Sequence, residues 1–354
     1  MRTRLLALLA AGLVLLQVVP ASAAYATATR VTPEGCTAFV STTSTSDGLT
    51  RGFAQCTTGW RYVKGSGTSW SSAPTPYPQG NGILDVAFDG STVFMLVTNS
   101  KGLFITSKTN AGYTSGHRLT ASVGDGGASL IAHANTWWAV WTQGTDQGGL
   151  DLYESHTLGG YVAPHMFYGG GGSGIYRDTA PQLEYQSSSK RAVLAWTHQT
   201  SAGHETVLMS SSSGGAWPGS TTVDSQGNTP SLALSGSQVI VATHHYDGTT
   251  CQCGTAVFTG TTSGITSVRL MSGQAASAPL MAMSNGVIAL VWYVYNGNQP
   301  SRPLRIASRS AGGTWSSVTL NLSPNAVFGV GSCGGRFRFF ATSSTGQSVV
   351  VRSA

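Results

Sequence analysis

The sequence predicts an all-β fold, a β-propeller of six four-stranded antiparallel blades, and three observations carry that expectation. Two segments, Ser210–Trp217 and Ser308–Trp315, share the frame Ser-x-Ser-x-Gly-Gly-x-Trp, and their separation is twice a period of about 49 residues. Short runs rich in β-branched and aromatic residues recur between such turns in a constant phase. Only 9% of the chain is charged, where a quarter is usual, and 46 glycines punctuate it. Hydrophobic content of 41% excludes disorder of the low-hydrophobicity kind.

The elements follow in chain order. Arg2 and Arg4, an apolar run from Leu5 to Val19 and the small-residue site Ala21-Ser22-Ala23 make residues 1–23 a secretory signal. That run is short for a membrane span, so the rest, 24–354, is expected to be one secreted domain with no membrane attachment after cleavage. Surplus strands lie at Cys36–Thr42, Arg51–Cys56 and Trp60–Lys64. Each later unit opens with a short strand: Ile83–Phe88, Ala128–Ala132, Pro181–Tyr185, Pro230–Leu234 and Pro279–Met283. A longer, more apolar strand follows at Thr92–Val97, Thr136–Trp141, Ala192–Trp196, Gln238–Thr243 and Val287–Tyr293. Weaker copies of the Gly-aromatic turn sit at Ser66–Trp70, Ser107–Tyr113, Ser155–Tyr161 and Thr259–Ile265. Three strands end the chain: Ala326–Gly331, Arg336–Ala341 and Ser348–Arg352. The economical arrangement closes the ring by letting N- and C-terminal strands share one blade, which removes open sheet edges. Five whole units and one composite make six blades; seven result if the ends build separate blades.

The two good turns resemble the Asp-box, or BNR-repeat, hairpin of sialidase-like propellers, with pattern Ser-x-Asp-x-Gly-x-Thr-Trp. Ser212 and Ser310 stand where that pattern has Asp. The resemblance implies a divergent member of that superfamily, a Trp packed between sheets and a polar side chain that ties the turn to its backbone. Sialidases also need three arginines gripping a carboxylate, a Tyr–Glu pair and an Asp acid/base. No Arg-Ile-Pro is present, and Arg305-Ile306-Ala307 lies in the wrong repeat, so no catalytic residue carries over.

If the Gly-Trp turns join third and fourth strands, the second-to-third and blade-to-blade loops share the opposite face, around the channel. There the sequence places Asp125, Asp146, Asp178, Asp224 and Asp247, five of thirteen acidic residues. Tyr176, Arg177, His198, His244, Tyr246, Trp292 and Tyr293 are the candidate ligand-binding residues. Sugars need aromatic faces for their C–H surfaces and polar groups for their hydroxyls. Glycoside hydrolysis takes two carboxylates at a set separation, which Asp125, Asp178, Asp224 and Asp247 could furnish across the channel, with Asp178 and Asp247 the catalytic candidates. The expected partner is a carbohydrate or glycoconjugate, bound by a monomer as a glycosidase of sialidase-like type or as a lectin. The alternative is a non-catalytic structural or protein-interaction propeller, because Asp also favours turns for local reasons.

Other chemistries find less support. The net charge of +6 is scattered singly, without the clustering nucleic acid requires. No phosphate loop, dinucleotide fingerprint or serine-hydrolase elbow occurs, and no cofactor is expected. His244, His245, Cys251 and Cys253 lie close in sequence, but adjacent strand histidines diverge and exported cysteines oxidise, so no metal is assigned. Of five cysteines, Cys36 and Cys56 are a plausible bridge; Cys251, Cys253 and Cys333 stay unassigned.

Overall fold

The computed structural model describes residues 29–32, 36–43, 49–66, 69–78, 80–157, 160–169, 176–212, 215–247, 252–271, 275, 277–284, 286–294, 304–310, 313–320, 326–333, 336–342 and 348–352. The proposed signal, residues 1–23, lies outside the described residues. Every regular element among the described residues is a β-strand, and no helix there is long and apolar enough to cross a membrane.

After the two-residue strand β1 (Thr29–Arg30) comes a four-stranded sheet: β2 (Cys36–Thr43), β3 (Thr50–Cys56), β4 (Gly59–Ser66) and β5 (Ser69–Pro74). The next holds β6 (Gly82–Asp89), β7 (Thr92–Asn99), β8 (Gly102–Thr109) and β10 (His117–Thr120), with the short β9 (Gly112–Tyr113) also beside β8. Two meanders follow. One is β11 (Ala128–His133), β12 (Thr136–Gly144), β13 (Leu150–His156) and β14 (Val162–Tyr168). The other is β15 (Arg177–Gln186), β16 (Arg191–Thr200), β17 (Gly203–Ser210) and β18 (Ser220–Asp224). Then come β19 (Gly227–Ser235), β20 (Gln238–Asp247), β21 (Gln252–Thr261) and β22 (Gly264–Met271), and after them β23 (Leu280–Ser284), β24 (Val287–Tyr293), β25 (Leu304–Arg309) and β26 (Trp315–Leu320). The last strands are β27 (Ala326–Cys333), β28 (Arg336–Thr342) and β29 (Ser348–Arg352).

The sheets have a propeller arrangement. First strands touch first strands in a closed cycle: β2 meets β6, then β11, β15, β19, β23 and β27 follow, and β27 returns to β2. Side chains stitch that cycle. The Leu130 N–H donates to Asp85 Oδ2 (2.7 Å), Leu183 N–H to Ser129 Oγ (3.0 Å) and Met281 N–H to Ser231 Oγ (2.9 Å). Second strands are buried on both faces, as Ala192–Thr197 shows, because each sheet is covered on either side by the next. A continuous apolar run is what such a strand requires.

Two expectations need correction. The terminal strands do share one four-stranded sheet, but the strands at Cys36–Thr42, Arg51–Cys56 and Trp60–Lys64 are not its N-terminal part, because with β5 they build a separate sheet. The C-terminal sheet instead takes β1 as its outer strand, in the order β1-β29-β28-β27, with Thr29 opposite Val350. The ring is thus closed by both termini, through a two-residue strand. Nor are there six equal sheets. Four are discrete four-stranded units, one has five strands, and one parallel bridge between Leu150 and Arg177 fuses two meanders into an eight-stranded sheet.

Cys36 and Cys56, opposite each other on β2 and β3, form a disulfide. Cys253 is a free thiol, Cys251 lies outside the described residues, and so does the side chain of Cys333.

Candidate functional site

The two Gly-Trp turns are one structure used twice. In the first, Ser212 N–H donates to Ala216 O, Gly215 N–H to Ser212 O, and Ala216 N–H to the Ser212 hydroxyl at 3.2 Å. In the second, Ser310, Gly313 and Thr314 repeat all three bonds, the last again at 3.2 Å. Gly215 and Gly313 have φ of 91° and 88°, where a side chain would be strained. Each turn joins third to fourth strand, and Trp217 packs flat on Phe167 while its indole donates to Glu154 of the preceding meander.

The opposite face collects the charged and aromatic residues. Asp178 is fully buried near the start of β15. Its Oδ1 accepts from Trp196 Nε1 at 2.8 Å and meets His198 Nδ1 at 2.8 Å, both on β16. Trp196 and His198 reach one carboxylate because residues two apart on a strand share a face. Asp178 Oδ2 is buried without a partner. Burial pushes this carboxyl above its ordinary range, and the histidine only partly opposes that. The same contact raises His198.

Around the pair, the Tyr176 ring stacks on His198 with centroids 6.4 Å apart, and Tyr168 meets both Trp196 and His198 edge-on. Burial, reinforced by the nearby Asp178, raises the Tyr168 hydroxyl. Arg177 forms a 2.6 Å ion pair with Asp125, whose carboxylate is mostly exposed. The loop carrying Asp125 lies against the strands: Gly124 N–H donates to Thr142 O, and Ala180 N–H to Gly126 O. A Cβ on Gly126 would come within 3.0 Å of the Asp178 backbone oxygen, so that position needs glycine.

A second pair bridges this sheet and the next. Asp224, at the end of β18, accepts from Thr243 Oγ1 (2.7 Å), meets His245 Nδ1 (3.0 Å) and accepts from the Gln226 N–H (3.0 Å). Strand register makes the two histidines equivalent, while the carboxylates differ: Asp178 faces His198 from the first strand, whereas Gly227 faces His245 and Asp224 reaches it from the end of β18. Gln182 faces Ala195 and Ser231 faces Ala242, which puts Trp196 with Thr243 and His198 with His245. The preceding backbone repeats too: Ala180 (φ 51°) and Thr229 (φ 48°) are left-handed and stand directly before Pro181 and Pro230. Residues before proline are normally extended, so both are strained, and each lies in the bulge opening its first strand.

The other predicted residues lie on β20 and β24. His244 faces away from Asp224; burial lowers its affinity for a proton, and its Nε2 is buried without a partner. Tyr246 is exposed near the end of β20. Asp247 ends that strand, but its side chain lies outside the described residues. Trp292 and Tyr293 pack into core clusters on opposite faces of β24, so neither presents a surface to solute. Register explains Trp292: Ser129 faces Val140 and Leu280 faces Val291, so Trp141, Trp196 and Trp292 hold one repeated core position. Sequence reasoning placed Tyr168 and His245 in the loops of this face but missed Trp196 as a member of it. Alternation on the second strand would have found it, two residues before His198. Among the described residues no cluster of three or more His, Cys, Asp or Glu could hold a metal ion.

No protein-family model and no curated protein matches the sequence. Solved structures are similar. A chain of the mitotic checkpoint complex is 12% identical, with a TM-score of 0.57 over 99% of this chain and 98% of that one. A protein of unknown function from Dyadobacter fermentans is 8% identical, with a TM-score of 0.51 over 84% and 98%. An α-L-arabinanase from Cellvibrio cellulosa, solved with arabinohexaose, reaches only 0.42 at 10% identity over 66% and 93%, too slight a likeness to argue from. At these identities the similarity shows the fold alone.

Proposed function

We propose that this chain is an exported, sialidase-like propeller that binds or cleaves carbohydrate on the face carrying Tyr176, Arg177 and His198. The observation that supports this most is the Tyr176 ring stacked on a histidine whose Nδ1 is held by a buried carboxylate. That arrangement orients the imidazole and leaves Nε2 as its second nitrogen, beside an aromatic face and the Arg177–Asp125 pair. Asp178 is too deeply buried to meet a substrate, so its part is to position His198 and favour its protonated form. The proton-handling group of the site is then His198, with Asp247 the partner carboxylate. We read the ring as seven blades, counting the fused sheet as two, supported by the cycle of seven first strands. Residues 1–23 are read as a cleaved signal, and the mature chain as a monomer working without a cofactor.

A glycan array and a fluorogenic glycoside panel, run on the mature chain, test the proposal. Binding or cleavage should fall at least tenfold in His198→Ala and Tyr176→Ala. Cleavage in the parent that Asp247→Asn abolishes makes it a glycosidase; binding without cleavage makes it a lectin. The absence of any signal with the parent chain refutes both.

One observation favours a second reading. The Asp178–His198 pair recurs as Asp224–His245, which is the signature of a repeated brace between strands. On that reading the propeller is a non-catalytic interaction scaffold, and Asp178→Asn and Asp224→Asn lower stability equally with no glycan signal to lose.

A further inference from the structure

A second site lies away from that face's centre, between the first two sheets. A cavity of roughly 400 Å³ is walled by Pro76, Tyr77, Phe104 and Tyr113 and rimmed by Asn81, Asn99 and Lys101. That size falls in the usual range for small-molecule sites, about 300–1,000 Å³. Its walls and rim divide by chemistry. Tyr77 and Tyr113 meet edge-on, with ring centroids 5.7 Å apart and planes at 90°, so two aromatic surfaces form a corner. The rim offers donors and no carboxylate: no acidic residue lines the cavity. The Asn99 side-chain oxygen is engaged by the Lys101 N–H, which leaves its NH₂ group to donate outward. Lys101 is exposed, and among the described residues neither its ammonium nor the Asn81 side-chain amide has a hydrogen-bond partner.

The loop presenting Tyr77 is fixed in advance. Prolines 76 and 78 flank it and restrict its backbone. Trp60 grips it at three points: its N–H donates to Tyr77 O, its carbonyl accepts from the Thr75 N–H and hydroxyl, and its indole donates to Asn81 O at 2.6 Å. The Thr75 hydroxyl also accepts from the Tyr77 N–H. Trp60 itself is buried in the core, so the platform does not have to be ordered when a ligand arrives.

We infer that this corner is a peripheral sugar-binding site that takes one ring of a glycan, its C–H face against Tyr77 and its oxygens toward Asn81, Asn99 and Lys101. Stacking on a rigid ring suits the apolar face of a pyranose or furanose. A rim of donors suits hydroxyl, carbonyl or carboxylate oxygens on the ring's edge. The site shares no residue with the Tyr176–His198 cluster and stands or falls independently of it.

Saturation-transfer NMR on the mature chain tests this, with glucose, galactose, arabinose, xylose, N-acetylglucosamine and glucuronate as probes. At least one sugar should receive saturation from the parent protein. That transfer should persist in His198→Ala and be lost in Tyr77→Ala, with Lys101→Ala weakening it severalfold. Lys101 is exposed in the turn after β7, so its variant folds even if Tyr77→Ala loosens the loop. Transfer that is unchanged in both Tyr77→Ala and Lys101→Ala overturns the inference, as does no transfer from any probe. Transfer lost only in His198→Ala overturns it too, while leaving the central site standing.

Discussion

Asp178 and Asp224 show how a chain so poor in charge uses the carboxylates it keeps. Each accepts from a second-strand donor, Trp196 or Thr243, and from the histidine two residues further on. A buried carboxylate with such partners is a tie between strands, and removing one acceptor strands its donors. Asp224→Asn should therefore destabilise the fold by about 1–3 kcal/mol, the cost of unsatisfied buried groups, read by chemical denaturation. Trp141 and Trp292 lack such a carboxylate, and their indole N–H groups are buried without a partner. The difference explains why the sequence misplaces Trp292. A Trp in an apolar run reads equally as a ligand platform or as core, and only the strand register separates the two.

At the scale of the element, the Gly-Trp turns are the best-read feature. The serine in the third position takes the part expected of a polar side chain there, accepting the N–H four residues on. Ser212→Ala and Ser310→Ala should each cost about 0.5–1.5 kcal/mol, the worth of one such bond, and the double variant the sum, since the turns lie in separate sheets. Differential scanning calorimetry on the three proteins checks this. First and second strands were also legible: β24 spans the predicted Val287–Tyr293, and most others differ only by residues added at their ends. The added residues are informative. β15 begins at Arg177 rather than Pro181 because a bulge lets Arg177–Thr179 keep pairing before the proline. Proline marks a break in the local pattern, and only the partner strand shows that pairing continues past it. That extension is what carries Asp178 into reach of His198. The strands carrying the candidate residues were thus legible from the repeat, but their hydrogen-bonded geometry was not.

For the whole molecule, pH is the informative variable. Asp85 and Glu184 lie on first strands, and burial raises them to about 6 and about 7, Glu184 also feeling the charge of Asp85. A carboxyl raised on folding favours the folded state while protonated. That contribution is complete below the unfolded values near 4 and disappears as pH rises through 6 and 7. His198, also raised, acts in the same direction through the region above 6.5, while His244, lowered by burial, opposes it on the acid side. Thermal midpoints should accordingly fall between pH 5 and pH 8, and Glu184→Gln should flatten the slope. A midpoint that rises over that interval contradicts the assignment.

The joining of the ring by Thr29–Arg30 against Val349–Val350 places the two ends of the described chain side by side in one sheet. Where an chain begins is then of little importance to its architecture. A circular permutant, with a short flexible linker between the old termini and a cut in the tight β19–β20 hairpin at Gly236, should refold to the same far-ultraviolet spectrum. A chain lacking residues up to Arg30 should instead associate through the uncovered flank of β29, visible as larger species by light scattering.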